Sequence, residues 1–278
     1  MKRDIQKAVT ETVPVRRNLA KAHLTLSFHK YSAYYDLLYA DKDYQAEAEY
    51  VAGRLCGANA LVRSILELGS GTGRHGRLLA AMGFDVHGVE KSSEMASSAR
   101  PVEAKTDKPG SFTCEVGDLR DVRTGRTFDA VISLFHVMSY QTTNEDLAAA
   151  FKTAAEHLER GGLFLFDVWH GPAVLATPPS VRTKEAANQR YHVKRVARPE
   201  ISIDSAIVNV FYELDCEDAQ TGNRVQFNEE HVMRYLFPDE IEEIGKAAGF
   251  TLVATEEFLT SRTPTTDTWG VCYLLKKQ

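Results

Sequence analysis

The spacing of apolar positions changes between two periods along the first two thirds of the chain. Short apolar runs, which predict buried strands, cover residues 64–68, 85–90, 111–116, 128–134 and 163–168. Segments with helical spacing lie between them, at residues 44–55, 73–82, 93–100 and 144–158. Strands that alternate with helices in this way predict a doubly wound α/β domain built on a parallel sheet.

The pattern changes after the fifth strand. Three β-type runs without a helix between them predict an antiparallel insert, and they cover residues 191–197, 203–214 and 224–235. A helix at 238–248 and a strand pair at 251–258 and 269–276 follow. The predicted regions are an N-terminal arm or lid at 1–43, a core at 44–170, the insert at 171–236 and a C-terminal helix and hairpin at 237–278.

A glycine-rich run lies between the first predicted strand and the next helix, in the sequence ILELGSGTGRHG at residues 65–76. Gly69, Gly71 and Gly73 allow close approach of a ligand and positive φ, and the helix behind them offers unpaired N–H groups. The run therefore predicts a nucleoside-type cofactor. Its spacing also satisfies the dinucleotide fingerprint of a nicotinamide enzyme. Glu67 argues for a cationic sulfonium cofactor, because its carboxylate would repel a pyrophosphate.

The pattern E-L-G-S-G-T-G resembles motif I of the class I S-adenosylmethionine (AdoMet) methyltransferases, and residues 35–168 look like their core. The resemblance implies a seven-stranded, Rossmann-like sheet, AdoMet as methyl donor and S-adenosylhomocysteine as product. It implies that Glu90, which ends the second strand, accepts hydrogen bonds from the ribose hydroxyls. The residues implied to contact the cofactor are Tyr35, Glu67, Gly69, Gly71, Gly73, Glu90, Lys91, Met95, Asp118, Leu119 and Leu134.

Two further segments are similar to the nucleotide-sugar N-methyltransferases that act on 3-amino-dideoxyhexoses. They are residues 34–44, YYDLLYADKDY, and residues 230–237, EHVMRYLF. In that subfamily the N-terminal segment covers the cofactor and the inserted sheet forms the substrate wall. The chain departs from it in having one tryptophan after strand five and a tyrosine at the position of a histidine after strand four. The residues expected to bind substrate are Tyr31, Trp169, Glu230 and Arg234, the last through a phosphate.

Transfer of a methyl group to an amine requires the amine to be unprotonated, so a general base is expected near the acceptor. His136 and Tyr140 follow the fourth strand, and His231 lies in the insert. Histidine titrates in the required range, which makes His136 and His231 catalytic candidates. Tyr140 is the third candidate because of its place after the fourth strand. Glu230 is expected to face them across the cleft.

Composition limits the kinds of partner, cellular location and metal site that are expected for this protein. The 278 residues carry a net charge of −5, which disfavours a nucleic-acid partner. No apolar run reaches the length of a membrane span, and no secretory signal is evident, so a cytoplasmic protein is expected. The four cysteines are scattered without a metal-ligand spacing, so no metal is expected.

The predicted function is AdoMet-dependent methyl transfer to a small molecule, first of all to the amine of a nucleotide-linked amino sugar. O-methylation of a sugar or of another small metabolite is the competing reaction. Three rival functions fit the pattern less well, namely a non-catalytic AdoMet-binding protein, a macromolecular methyltransferase and a nicotinamide-dependent dehydrogenase. The sequence leaves a homodimer open.

Overall fold

The computed structural model describes residues 32, 34–103 and 110–278, so Tyr31 and most of the predicted arm lie outside the described residues. The helices after residue 43 are α1 (Tyr44–Ala58), α2 (Arg74–Ala81), α3 (Ser93–Ser98), α4 (Asn144–Glu156), α5 (Gly171–Ala176) and α6 (Pro238–Ala247). The strands are β1 (Ser64–Leu68), β2 (Asp85–Glu90), β3 (Ser111–Val116), β4 (Phe128–Ser133), β5 (Leu158–Trp169), β6 (Arg182–Ala187), β7 (Tyr191–Ser202), β8 (Ile207–Asp218), β9 (Arg224–Arg234), β10 (Phe250–Glu257) and β11 (Gly270–Lys277). A 3₁₀ turn covers Val137–Tyr140. No helix in these ranges is long and apolar enough to cross a membrane.

The main sheet has seven strands in the order β10-β11-β5-β4-β1-β2-β3. Strands β1 to β5 pair in parallel, whereas β11 runs antiparallel to both β5 and β10. The predicted α/β fold with a seven-stranded sheet and a C-terminal strand pair is therefore confirmed. The carboxyl ends of β1, β2 and β4 meet where the strand order reverses, which is where open α/β sheets bind ligands.

Side chains of the central strands alternate between two buried layers, which explains why these strands are apolar on both faces. Leu66 and Leu68 of β1 pack with α4 and α6 on one side of the sheet. Ile65, on the same strand, packs with α1 and α2 on the other side. Glu67 shares the side of Ile65, so its carboxylate is directed beneath α2 rather than into solvent.

Polar caps start three of the helices at the positions that the sequence indicates. Asp43 Oδ1 accepts a hydrogen bond from the N–H of Ala46 at 2.9 Å, and α1 begins there. Ser92 Oγ caps α3 and Thr143 Oγ1 caps α4 in the same way. The Ser92 cap starts α3 immediately after β2, which places Glu90 at the turn.

The insert forms a separate antiparallel sheet in the order β6-β7-β8-β9. Three strands were predicted and there are four, because the sequence of β6, RTKEAA, lacks apolar alternation. Strand β7 runs to Ser202, and residues 203–206 form the turn, so the predicted strand at 203–214 began too early. His170 and Leu236 form a parallel bridge, so the insert leaves and rejoins the core at neighbouring points.

Candidate active site

The glycine loop connects β1 to α2, and its three alternate glycines all have positive φ. The values are 77° for Gly69, 56° for Gly71 and 72° for Gly73. A Cβ on Gly69 would lie 2.5 Å from Val137 Cγ1, and one on Gly73 would lie 2.5 Å from Phe112 Cζ. A Cβ on Gly71 would meet nothing within 4 Å. Gly69 and Gly73 therefore allow close internal packing, and Gly71 presents bare backbone to an open space that suits a cofactor.

Glu90 holds this loop from the end of β2. Its Oε2 accepts a hydrogen bond from the N–H of Gly71 at 2.8 Å, and its Oε1 accepts one from the N–H of Ser92 at 2.8 Å. Burial raises the pKa of the Glu90 carboxyl. Each carboxylate oxygen has a second lone pair, so Glu90 can also accept from two hydroxyls, as the expected ribose contact requires.

Glu67 lies beneath the loop rather than along it, and only 1% of its surface is exposed. Burial and the nearby charge of Glu90 raise the pKa of Glu67 to about 8. Its Oε1 lies 3.9 Å from Nδ1 of His75, whose Nε2 is 2.7 Å from Glu47 Oε2. This buried group of acids around one imidazole supports the first turn of α2 from below.

Other residues expected to contact the cofactor follow the ends of β2, β3 and β4. Met95 is 3% exposed, and Leu134 is equally buried at the end of β4. Asp118 lies 3.1 Å from Nζ of Lys91 and 2.6 Å from Nη2 of Arg120. Burial opposes ionisation of Asp118, but hydrogen bonds from Arg120 and Lys91 outweigh it and hold the pKa well below its usual range.

His136 follows β4 in a strained backbone segment. Phe135 and His136 have φ values of 64° and 62°, a conformation that is uncommon for residues with side chains and is concentrated at functional sites. His136 Nδ1 lies 2.7 Å from Asp167 Oδ2, and the His136 N–H donates to the same oxygen at 3.1 Å. Burial raises the pKa of Asp167, but the charge and hydrogen bonds of His136 lower it overall. An ionised Asp167 thus fixes the imidazole with Nε2 directed away from it.

Tyr140 and His231 meet although they are far apart in the chain. The Tyr140 hydroxyl is 3.0 Å from His231 Nδ1, and Glu229 Oε2 is 3.5 Å from His231 Nε2. Burial and then the charge of Arg195 lower the pKa of His231 to about 3, so its ring is neutral. Glu230 is exposed on the opposite face of β9, because strand side chains alternate. The expectation that Glu230 faces the cleft is wrong, and Glu229 is there instead.

Two other substrate candidates have neighbours that the sequence did not predict. Arg234 forms an ion pair with Glu240 and donates to Asn144 Oδ1 at 2.8 Å, so its guanidinium is engaged by α4 and α6 rather than directed to a phosphate. The Trp169 ring lies 6.3 Å from the ring of His136 and 5.9 Å from that of Trp269. Trp269 precedes β11, so the second tryptophan ring beside Trp169 comes from a distant part of the chain.

Residues 34–43 connect the glycine loop to the insert. Asp36 Oδ1 accepts from Thr72 Oγ1 at 2.8 Å on the loop side. On the insert side, the Tyr39 hydroxyl accepts from Arg195 Nη1 at 2.9 Å, and Leu38 is fully buried against the insert. Tyr35 lies here too, with its ring 4.8 Å from that of Tyr39. The expected cofactor site and the expected acceptor site therefore both border residues 34–43.

A family model for a methyltransferase domain matches residues 65–162. The chain is 32% identical over 221 residues to the dTDP-3-amino-3,4,6-trideoxy-alpha-D-glucopyranose N,N-dimethyltransferase of Streptomyces venezuelae, a match that covers 70% of this chain and 90% of that protein. Together with the seven-stranded sheet and its glycine loop, this defines an AdoMet-dependent methyltransferase.

Two solved structures have the same architecture. DesVI of Streptomyces venezuelae superposes with a TM-score of 0.73 at 27% identity, over 89% of this chain and 98% of that chain. An amino pentose methyltransferase of Micromonospora echinaspora, solved with bound SAM, superposes with a TM-score of 0.69 at 25% identity. The match covers 90% of this chain and 98% of that chain. The chain belongs to the AdoMet-dependent methyltransferase family, in the branch that includes the nucleotide-amino-sugar N,N-dimethyltransferases.

Proposed function

We propose that this protein transfers methyl groups from AdoMet to the amine of a nucleotide-linked amino sugar. The observation that carries the proposal is the His136–Asp167 pair at the carboxyl end of β4, beneath the insert and next to the glycine loop. The relative from Streptomyces venezuelae, by its name, dimethylates an amine on a dTDP-linked sugar. Both AdoMet and nucleotide sugars are cytoplasmic metabolites, so we also propose that the protein acts in the cytoplasm.

The core and the C-terminal region would hold the donor, and the insert at 171–236 would form the wall of the acceptor site. When bound, AdoMet supplies a methyl group that is already activated for in-line displacement. The open backbone at Gly71, the carboxylate of Glu90 and the carboxylate of Asp118 suit a cofactor of this kind. The protein then contributes mainly proximity and alignment.

His136 is the proposed base. Asp167 Oδ2 lies 2.7 Å from Nδ1 and would hold a ring proton there, which leaves Nε2 as the nitrogen that accepts a proton from the substrate. An ammonium group that gives a proton to Nε2 becomes the free amine that can act as a nucleophile. The carboxylate of Asp167 then stabilises the imidazolium, as the acid does in other His–Asp pairs.

Tyr140 is the proposed positioning group. The ring of His231 is neutral, and Glu229 Oε2 lies 3.5 Å from its Nε2, so we assign the single ring proton to Nε2. Nδ1 then accepts the proton of the Tyr140 hydroxyl. The phenolic oxygen is then an acceptor toward an amine N–H. Such a contact would orient the nitrogen lone pair toward the donor.

The test offers the enzyme AdoMet with dTDP-linked sugars that carry either an amine or a hydroxyl at C3 or C4. We expect S-adenosylhomocysteine to form with an amine, and mass spectrometry of the sugar nucleotide to show the number of methyl groups added. Methylation of the hydroxyl analogue with no reaction of the amine would contradict the proposal in favour of an O-methyltransferase. AdoMet binding without turnover of any of these sugars would also contradict it.

A further inference from the structure

Strand β6 carries two cations on one side of the insert sheet. In its pairing with β7, Arg182 is opposite Ala197 and Lys184 is opposite Arg195. Residues that are directly opposite across a strand pair project to the same face, and residues two apart along a strand do so too. Arg182 and Lys184 therefore project to the same face as Arg195.

This face borders the proposed acceptor site. Arg195 Nη1 donates to the Tyr39 hydroxyl at 2.9 Å, and Lys184 Nζ lies 5.4 Å from the centre of the Tyr39 ring. The same Tyr39 ring lies 5.1 Å from the ring of Phe135, the neighbour of His136. The Tyr39 side chain thus lies against Arg195 and Lys184 of the insert and also against the strained turn that carries the proposed base.

Both cations are accessible to an anion. Lys184 Nζ lies 2.6 Å from Asp41 Oδ1, but 71% of the Asp41 side chain is exposed, and ion pairs of this kind contribute little. Arg182 is exposed, and no carboxylate pairs with it among the residues that the structure describes. Arg234, by contrast, already forms a shielded pair with Glu240.

We propose that Arg182 and Lys184 bind the diphosphate of the nucleotide-linked acceptor. This inference rests on the proposed function and adds the part of the substrate that the insert recognises. A guanidinium can hold a phosphate through two parallel hydrogen bonds, and an ammonium adds a mobile positive charge. The sugar ring separates the diphosphate from the amine. Anchoring the diphosphate at β6 therefore leaves the amine to reach toward His136.

The test uses thymidine 5′-diphosphate as the probe and the full chain as the protein. We expect the double variant Arg182→Gln/Lys184→Gln to weaken binding by about tenfold or more in calorimetry, because it removes charge-assisted hydrogen bonds. Its KM for the nucleotide sugar should rise by a similar factor, with a smaller change in kcat. Binding by the wild type should weaken with added salt more steeply than binding by the variant.

The matched control is Lys194→Gln. Lys194 lies on the outer face of the same sheet, 3.0 Å from Glu185, and its removal should change neither quantity. Native S-adenosylhomocysteine affinity in every variant establishes that the core is folded.

Wild-type affinity for the probe in the double variant would overturn the inference, and so would absence of binding by the wild type. If the wild type still methylates the nucleotide sugar in either case, the proposed function stands. If the wild type methylates only a free amino sugar, then both the diphosphate site and the nucleotide-linked substrate of the proposed function are contradicted.

Discussion

The glycine loop and the cleft side of the insert are assembled in different ways. The loop takes its main groups from one β1–α2–β2 unit, with Gly71 and Glu90 only 19 positions apart. The cleft is built from distant segments, since Tyr140 and His231 are separated by 91 positions and Tyr39 and Arg195 by 156. A site made within one unit leaves a readable pattern in the sequence. A site made by folding distant strands together does not.

The largest effect that separates the two regions is expected for His136→Ala, which should impair turnover of the acceptor and leave AdoMet binding intact. We expect kcat to fall by about 10²- to 10⁴-fold, the usual contribution of a general base. AdoMet affinity, measured by calorimetry, should remain near that of the wild type. Unchanged turnover at saturating acceptor would show that His136 is not the base.

Glu90→Ala should have the opposite effect, because it should impair binding of the methyl donor. The variant loses the carboxylate that holds the N–H groups of Gly71 and Ser92, and we expect AdoMet affinity to fall by about 100-fold. Glu115→Gln, which alters an exposed acid on the neighbouring strand β3, is the matched control. A titration curve for Glu90→Ala that overlays that of the control would remove the proposed ribose contact.

Within the loop, Gly69→Ala and Gly71→Ala separate packing from ligand access. Both place an alanine at positive φ, which costs about 1–2 kcal/mol. Only the Gly69 variant also meets Val137, which adds about 1–3 kcal/mol of overpacking. Chemical denaturation should therefore show the larger loss of stability for Gly69→Ala. AdoMet binding per folded molecule should fall more for Gly71→Ala, and the reverse order would contradict the description of the loop.

The buried acid under the loop should give the free protein a distinctive dependence on pH. The pKa of Glu67 is raised to about 8, so its proton stabilises the folded state at low pH. That contribution is lost as pH rises from the unfolded value near 4.5 through 8. The melting temperature of the wild type should therefore fall relative to Glu67→Gln between about pH 5 and 8. If the difference in melting temperature between the wild type and Glu67→Gln did not change with pH, Glu67 would be ionised across this whole pH range.

The insert should show a smaller effect of opposite sign. The pKa of His231 is lowered to about 3, so the folded state favours the neutral ring. Its contribution is present above the unfolded value, about 6.5, and is lost as pH falls toward 3. Between about pH 7 and pH 5, the melting temperature of the wild type should therefore fall further than that of His231→Gln. Equal losses would mean that the ring is already charged in the fold.

The sequence predicted the fold and the loop because both depend on patterns within short distances. It missed β6 because every residue of this edge strand is exposed or only half-buried, so the strand needs no apolar alternation. It placed Glu230 at the cleft, where the structure has Glu229, because a shift of one residue reverses the face of a strand and nothing local decides the register. Trp269 could not be found as a partner of Trp169, since their contact depends on the pairing of β11 with β5.

The attachment of residues 34–43 to both sites has a consequence for chimeric enzymes. Asp36 belongs to the glycine loop through Thr72, whereas Leu38 and Tyr39 belong to the insert. An insert transplanted alone onto a related core would face a segment shaped for a different sheet. Exchange of acceptor preference between two such enzymes therefore requires residues 34–43 and residues 171–236 to be transplanted together.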